Sequence, residues 1–211
     1  MSDHDHDHGD HDHGDHDHDH GDHDHGRGGD GDEYELEAEA RAHRQTALSQ
    51  IRQYGDPILR MRANEVESFD EELVQLTERM LALEHDADGI GLAATQIGIL
   101  RRVFVFHNGD DEDLVVVNPV LTKMGGGVDV HDEGCLSLGP VRVPVERSVE
   151  VTLEGMGIDG APLYLELEGW PAFVAQHELD HLDGKLIIDR TDPESRREAL
   201  AQLRPKLVLS R

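Results

Sequence analysis

The stretch His177-Glu178-Leu179-Asp180-His181 decides how this 211-residue chain can be interpreted. Residues four positions apart lie on one face of an α-helix, so His177 and His181 can hold one metal ion together. Glu178 cannot easily reach that ion but can reach a water beside it, as a general base does in metal-assisted hydrolysis. The pentapeptide also recurs where its histidines are ordinary surface or core residues, so the rest of the sequence must supply further support.

Helical signals lie within and after this motif. Pro171 favours a first helical turn and Gly184 a C-terminal cap, which places the motif on a helix from about Pro171 to Leu182. Asp192-Pro193 marks the start of a final helix, expected over 193–205.

A further helix is predicted over residues 69–86. Ser68 with Glu71, or Asp70 alone, can cap its start, and Gly89 is placed to end it or the short loop after it. Apolar residues recur there at helical spacing and are expected in the core: Leu73, Leu76, Met80 and Leu83.

Short runs of β-branched and aromatic residues predict strands between these helices. Turns are expected at 108–111, 125–127 and 155–160, where Gly, Asn and Asp cluster. An α+β domain follows, with mostly antiparallel sheets packed around a central helix that carries the histidines, plus a C-terminal helix. The predicted strands are Arg102–Phe106, Leu114–Val117, Val128–Val130, Val141–Val145, Val149–Leu153 and Leu163–Leu167.

Charge divides the chain into regions. Residues 1–40 carry 16 acidic residues and one arginine of a chain with net charge -27. Residues 1–32 are predicted to be a disordered His/Asp-rich tail, since almost nothing apolar is available to bury, and its imidazoles and carboxylates can bind additional metal ions. Residues 33–53 are predicted to be a charged, helical linker, and 54–211 the folded domain, which opens at the turn Tyr54-Gly55-Asp56-Pro57.

Composition excludes several partners. No basic stripe is present to neutralise phosphates, so direct DNA binding is not expected, and an anionic membrane would repel this acidic chain. No apolar run approaches a membrane span, and the N-terminus lacks the pattern of a signal peptide. With Cys135 as the single cysteine, the expected location is the reducing cytoplasm.

The third ligand decides the class of site, because catalytic metal centres usually use three protein ligands. A third histidine after the glycine would indicate a metzincin protease, but position 187 is Ile. Glu194 and Glu198 lie closer than a thermolysin-like site requires. Cys135 is the better candidate, although a lone cysteine is commonly a small buried hydrophobe.

Three stretches together resemble the peptide deformylase family. They are Gly-Ile-Gly-Leu-Ala-Ala-Thr-Gln at 89–96, Glu-Gly-Cys-Leu-Ser at 133–137 and Gln-His-Glu-Leu-Asp-His at 176–181. Similar flanking segments extend the resemblance over roughly residues 51–191. It implies removal of the N-formyl group from the N-terminal formylmethionine of newly synthesised polypeptides, with release of formate.

The resemblance also implies a role for each site residue. Cys135, His177 and His181 would bind one divalent metal, most typically Fe2+, with Zn2+, Ni2+ or Co2+ as replacements. Glu178 would be the general acid and base, and Gln96 with the backbone N–H of Leu136 would stabilise the oxyanion. The substrate-binding residues would be Ile90, Gly91, Glu133, Gly134, Trp170, Phe173 and Val174. N-formylmethionyl peptides are the expected substrates, and the ribosome is a further expected partner by analogy.

Two positions near this site carry a weaker expectation. His131 stands where the family more often has an apolar residue, and it is interpreted as a solvated strand residue rather than part of the pocket rim. Arg142 can contact the substrate backbone or form a surface salt bridge.

Two other functions stay open on the residues alone. A zinc endopeptidase could use the same helix to cleave internal peptide bonds. A metal-storage or delivery protein would instead use the His/Asp-rich tail, with the domain as a scaffold.

Overall fold

The computed structural model describes residues 29–108 and 112–204, with side chains from residue 37 onward. The predicted tail therefore lies outside the described residues up to position 28, as do residues 109–111 of the predicted turn. The helices are α1 (Gly29–Gln50), α2 (Glu71–Asp86), α3 (Trp170–Leu182) and α4 (Pro193–Leu203). The strands are β1 (Gly91–Ala93), β2 (Val103–His107), β3 (Asp113–Gly134), β4 (Arg142–Met156) and β5 (Pro162–Glu168).

The strands form one antiparallel sheet in the order β1-β2-β3-β4-β5. The α+β class is confirmed, but this is a single sheet rather than several. The prediction of a turn at 125–127 was wrong, because β3 runs through these glycines. Its register with β4 shifts between Gly125 and Val128, and Gly126 and Gly127 have positive φ angles of 68° and 81°. Glycines in strands often mark such bulges, where the chain bends and pairing then resumes.

Helix α2 matches its prediction closely. Asp70 is the N-cap, and its carboxylate accepts a hydrogen bond from the N–H of Leu73 at 3.1 Å. The helix ends at Asp86 with Ala87 as the C-cap, so Gly89 does not end the helix itself. Instead the N–H of Gly89 donates to the carbonyl of Glu84 at 2.9 Å. The predicted core residues are all buried: Leu73, Leu76, Met80 and Leu83.

Helix α1 begins at Gly29, within the segment predicted as tail, and ends three residues before the predicted boundary. Its C-terminal end packs on the domain, because Ala47 is buried in one apolar cluster with residues of α2. Nε of Arg44 also donates to the carbonyl of Ala87 at 3.1 Å. The segment predicted as a linker is therefore partly attached to the core.

Helix α3, which carries His177, Glu178 and His181, packs against one face of the sheet. Val174, Ala175 and Leu182 share an apolar cluster with Phe104 of β2 and Leu153 of β4. This burial fixes the position of the helix on the sheet and its rotation about its own axis. It therefore also fixes the direction in which His177 and His181 point.

The chain leaves α3 through a constrained turn. Gly184 has a φ of 72°, and a Cβ there would lie 2.7 Å from the carbonyl oxygen of Arg60, so only glycine fits. Helix α4 then starts at the Asp192 N-cap and ends at Leu203, two residues short of the predicted end. None of the helices in the described part of the chain combines the length and apolar character that crossing a lipid bilayer requires.

Candidate metal centre and catalytic cleft

Three possible metal ligands converge where β3 meets α3. Cys135 follows the end of β3 and caps a short 3-10 helix, while His177 and His181 lie one turn apart on α3. Sγ of Cys135 lies 3.2 Å from Nε2 of His181, and one donor atom from each of the three residues lies within 4.8 Å of the others. The structure therefore brings together all three predicted ligands.

The donor set fits a divalent metal ion. One thiolate and two imidazoles suit Zn2+, Fe2+ and related ions, and three protein ligands leave a position for a reactant. The side chain of Glu178 is 3% exposed, and its Oε2 has no hydrogen-bond partner within the described residues. A buried carboxylate oxygen without a partner is costly, which fits a group that binds water or substrate beside an ion.

A charged network fixes the first histidine of the motif. Nδ1 of His177 lies 2.9 Å from Oε2 of Glu133, which leaves Nε2 on the side of Cys135. Arg147 donates to both oxygens of Glu133 at 2.8 and 3.0 Å and to Asp180 at 2.6 Å. Arg190 pairs with the same Asp180. Two residues of this network, Glu133 and Asp180, thus belong to the motif stretches themselves.

Glu133 has contacts beyond its predicted place beside the substrate. It was expected beside the substrate, and it does line the cleft, but both carboxylate oxygens are engaged by Arg147 and His177. These contacts hold the His177 ring in place, and a role of Glu133 in substrate binding stays a prediction. Arg147 was not predicted as a site residue, although it alternates in phase with Val143 and Val145 on β4 and all three are buried. A charged residue in the buried phase of a strand was the signal available.

Burial and neighbouring charges shift the acidity of these groups. Burial alone would raise the pKa of Glu133, but hydrogen bonds with His177 and Arg147 outweigh it and hold that pKa at about 2. Burial also opposes protonation of both histidines. Hydrogen bonds with Cys135 and Glu133 nevertheless keep the pKa of His177 well above its ordinary value, whereas burial and the charge of His177 keep that of His181 well below it.

Glu178 has a different environment. Burial raises its pKa to about 7, against the opposing effect of the His177 charge. A carboxyl with a pKa near neutrality can both accept and donate a proton under physiological conditions. Gly91 on β1 leaves room for this carboxylate, because a Cβ there would lie 2.7 Å from Oε1 of Glu178.

The side chain of Gln96 links strand β1 to the segment that contains Cys135 and Ser137. Its Oε1 accepts a hydrogen bond from the N–H of Ala93 at 2.8 Å, and its Nε2 donates to Oγ of Ser137 at 3.2 Å. The same Nε2 lies 3.8 Å from Sγ of Cys135. Gln96 and Leu136 both line the cleft, and their role in stabilising the oxyanion stays a prediction.

The cleft is a cavity of about 550 Å³ that opens to solvent beside Cys135, His177 and Glu178. Strand β1 is an edge of the sheet, so its outer side offers backbone groups to an extended chain. Every predicted substrate residue lines this cavity: Ile90, Gly91, Glu133, Gly134, Trp170, Phe173 and Val174.

His131 belongs to the cleft, against its interpretation as a solvated strand residue. Its ring lies 4.2 Å, centroid to centroid, from that of Phe173 and 5.9 Å from Trp170. Nε2 lies 3.4 Å from Oε1 of Glu133, but neither ring nitrogen makes a hydrogen bond within the described residues. Arg142 also lines the cavity and donates to the carbonyl of Asp132 at 2.8 Å.

Comparisons with known proteins agree on one family. The sequence pattern of the family described as polypeptide deformylase matches residues 48–197. The chain is 44% identical to peptide deformylase of Thermotoga neapolitana over 149 residues, which is 71% of this chain and 90% of that protein. It is 42% identical to peptide deformylase 1 of Corynebacterium glutamicum, over 75% of this chain and 95% of that protein.

Solved structures give the same result. A peptide deformylase from Legionella pneumophila superimposes with a TM-score of 0.69 at 37% identity, over 72% of this chain and 91% of that one. Peptide deformylase from Thermotoga maritima superimposes with a TM-score of 0.66 at 44% identity, over 68% of this chain and 97% of that one.

Proposed function

Because the chain belongs to the polypeptide deformylase family, we propose a specific role in that family's reaction for each residue of the cleft. The protein is a metal-dependent hydrolase that removes the N-formyl group from newly made polypeptides. The comparisons favour this function over an endopeptidase that uses the same helix.

The metal ligands in this proposal are Cys135, His177 and His181. The convergence of their donor atoms within 4.8 Å is the observation that carries the assignment. When bound, a divalent ion supplies Lewis acidity, which polarises the formyl carbonyl and makes water nucleophilic at neutral pH. We propose Fe2+ as the resident ion by family resemblance; the donor set is equally compatible with Zn2+, Ni2+ and Co2+. We also propose α3 as the central helix of the domain, since eight of its thirteen residues are buried.

Glu178 moves the proton. Its carboxylate accepts one from the attacking water while a C–O bond forms at the formyl carbon. It then delivers that proton to the departing nitrogen as the C–N bond breaks, so the products are formate and a free N-terminal amine. A pKa of about 7 suits both transfers, because neither protonation state is strongly disfavoured.

Gln96 and the backbone N–H of Leu136 stabilise the oxyanion in this proposal. The amide nitrogen of Gln96 lies 3.2 Å from Oγ of Ser137 and 3.8 Å from Sγ of Cys135, so it already points into the ligand loop. Donors fixed before the reaction are typically worth about 10² to 10³ in rate each.

N-formylmethionyl peptides are the proposed substrates. The peptide backbone would extend along the free edge of β1 at Ile90 and Gly91 and pass Gly134. The methionine side chain would pack against the apolar wall of the cleft formed by Trp170, Phe173 and Val174. Since such chains emerge from the ribosome, we propose the ribosome as a partner and the cytoplasm as the location.

Two variants of the full chain test these roles. Loaded anaerobically with Fe2+, the protein should release formate from formyl-Met-Ala-Ser. Glu178→Ala should lose turnover and keep its metal, whereas Cys135→Ala should lose turnover together with one ion per chain. Both variants retain the His/Asp tail, so metal held there cancels in the difference.

Other outcomes would contradict the proposal. A Cys135→Ala variant with full metal content and activity would exclude this ligand set. Cleavage of unformylated internal peptide bonds, without formate release, would favour the endopeptidase.

A further inference from the structure

Helix α1 contributes two side chains to the cleft. Arg44 and Leu48 both line the cavity, and they lie one helical turn apart on the same face of α1. Ala47 and Ile51 are buried in one apolar cluster with residues of α2, and this burial holds the C-terminal end of α1 against the domain. The family pattern begins to match at residue 48, so Arg44 lies outside the part of the chain that this pattern describes.

The guanidinium of Arg44 is fixed at one nitrogen and free at the other two. Nε donates to the carbonyl of Ala87 at 3.1 Å, which sets the direction of the planar group. Among the residues that the structure describes, neither terminal nitrogen has a hydrogen-bond acceptor, and Asp88, which lines the same cavity, makes no ion pair with Arg44. A guanidinium presented in this way can donate two parallel hydrogen bonds to a carboxylate.

Charge at the mouth of the cleft favours an anionic ligand. The exposed charged side chains that line the cavity are Arg44, Arg142 and Asp88, so positive charge exceeds negative charge there, although the whole chain has a net charge of -27. Deeper in the cavity, the carboxylate of Glu133 is balanced by Arg147. A local reversal of sign on an acidic protein directs negatively charged groups to that place.

Arg44 lies near the outer end of the segment along which the substrate is proposed to extend. Gly91 lies against Oε1 of Glu178, where the formyl group would react. From there the chain leads back through Ile90 to Ala87, whose carbonyl accepts from Arg44. An extended peptide advances about 3.3 Å per residue, so the third and fourth residues of a substrate would come nearest to the guanidinium.

We propose that Arg44 forms a subsite for a carboxylate side chain at the third or fourth residue of the formylated peptide. The inference rests on the proposed deformylase function and adds a substrate preference to it. Such an ion pair is partly exposed to solvent, so it should change kcat/KM by about three- to fivefold. Because it binds the peptide away from the formyl carbon, the change should appear in KM rather than in kcat.

Formate release from two amidated peptides tests the subsite, with the full chain loaded anaerobically with Fe2+. Formyl-Met-Ala-Glu-Glu-amide and formyl-Met-Ala-Gln-Gln-amide differ only in two carboxylates, and amidation removes the C-terminal charge. The ratio of kcat/KM for the glutamate peptide to that for the glutamine peptide should be about three- to fivefold higher in wild type than in Arg44→Met. Arg44→Lys keeps the charge but loses the planar pair of donors, so it should retain part of the preference.

Arg41→Met is the matched control. Arg41 is on the same helix but does not line the cavity; it is 73% exposed and pairs with Glu37. This variant makes the same change in net charge and should keep the wild-type ratio. Salt at about 0.5 M should lower the wild-type ratio toward that of Arg44→Met, because screening weakens an exposed ion pair. Thermal unfolding checks that each variant is folded, and Arg44→Gln replaces the methionine variant if that one is unstable.

Equal ratios in wild type and Arg44→Met would overturn the proposal. An equal fall of the ratio in Arg41→Met would also overturn it, because the preference would then follow net charge alone. Either result would leave the deformylase assignment intact, since that assignment depends on formate release from formyl-Met-Ala-Ser by wild type. Failure to release formate from any of the peptides would contradict the assignment itself.

Discussion

The catalytic centre and a group formed by Glu84, His85 and Asp113, which we call the α2–β3 cluster, each bring three donor atoms within 4.8 Å of one another, but their surroundings differ. His177 is held by Glu133, which is held in turn by Arg147, so the imidazole is oriented by residues that do not bind the ion. Among the described residues, the imidazole of His85 is paired with Glu84 and Asp113, and 55% of its side chain is exposed. The comparison teaches that three donors close together are not enough for a metal site, and that an outer layer of buried charge is what orients the catalytic ligands.

The two buried glutamates of these regions sharpen the comparison most strongly. Glu178→Gln should reduce kcat by about 10² to 10⁴, because the proton transfers lose their acid and base. Glu84→Gln, an equally buried and isosteric change, should reduce kcat far less, because Glu84 acts on Glu178 only through its charge, which helps to raise the pKa of that carboxyl. Formate release under metal-replete conditions measures both. Metal content at Cys135 should be unchanged in the Glu178 variant, and a parallel loss of metal would assign that residue a structural role instead.

Removing the outer layer should make the catalytic centre behave like the α2–β3 cluster. Arg147→Met leaves Glu133 with an unbalanced buried charge, which should cost about 3–5 kcal/mol of unfolding free energy. The loosened His177 should weaken metal affinity about 10- to 100-fold. Denaturant unfolding and competition with a chelator measure these two effects.

Arg62→Met is the matched control for this change. Arg62 is 78% exposed and lies 3.9 Å from Asp183, a surface pair worth at most about 1 kcal/mol. If the two arginine variants lost equal stability, the buried network would have no special role.

The sequence predicts the ligands well because each motif is local. Helical spacing places His177 and His181 on one face, and the glycine at 91 leaves space where Glu178 approaches. The caps at Asp70 and Asp192 are likewise decided by a few neighbouring residues.

Features that depend on contacts between residues far apart in the sequence could not be predicted in the same way. The glycines at 125–127 resemble a turn, and only the partner strand β4 makes them a bulge within β3. Arg147 looks like a surface residue until the sheet register turns it toward Asp180. Glu84 and Asp113 meet only because α2 packs beside the start of β3, which no local pattern encodes.

Acid should distinguish the buried network from ordinary surface carboxyls. Hydrogen bonds with His177 and Arg147 lower the pKa of Glu133 from an ordinary 4.5 to about 2 in the folded protein, so its contribution to stability is complete above about pH 4.5. The contribution is lost as the pH falls from 4.5 toward 2, and it amounts to on the order of 3 kcal/mol. Unfolding of metal-stripped protein at several pH values should therefore show a steep loss in wild type and a shallower one in Glu133→Gln.

The neighbouring exposed carboxyl supplies the control for this measurement. Asp132→Asn should follow the wild-type curve, since its side chain faces solvent. Identical pH dependence in wild type and Glu133→Gln would show that other carboxyls govern acid unfolding.

The smallest effect is expected from a change at His131, a polar side chain in a mostly apolar part of the cleft. It is packed on Phe173 like a core residue, yet its ring nitrogens lack hydrogen bonds within the described residues. His131→Leu removes that polar cost and offers an apolar wall to the methionine side chain. We expect a gain in stability of about 1 kcal/mol and a few-fold lower KM for formyl-Met-Ala-Ser, with kcat unchanged.

Thermal unfolding and steady-state kinetics measure the effects of His131→Leu, and His43→Leu on the exposed face of α1 is the control. A change in KM with constant kcat places His131 in substrate binding rather than in chemistry. A rise in KM in the leucine variant would instead show that the imidazole donates to the substrate. The ring nitrogens of His131 would then be a substrate-binding group, and their missing hydrogen bonds would lower the stability of the protein without substrate.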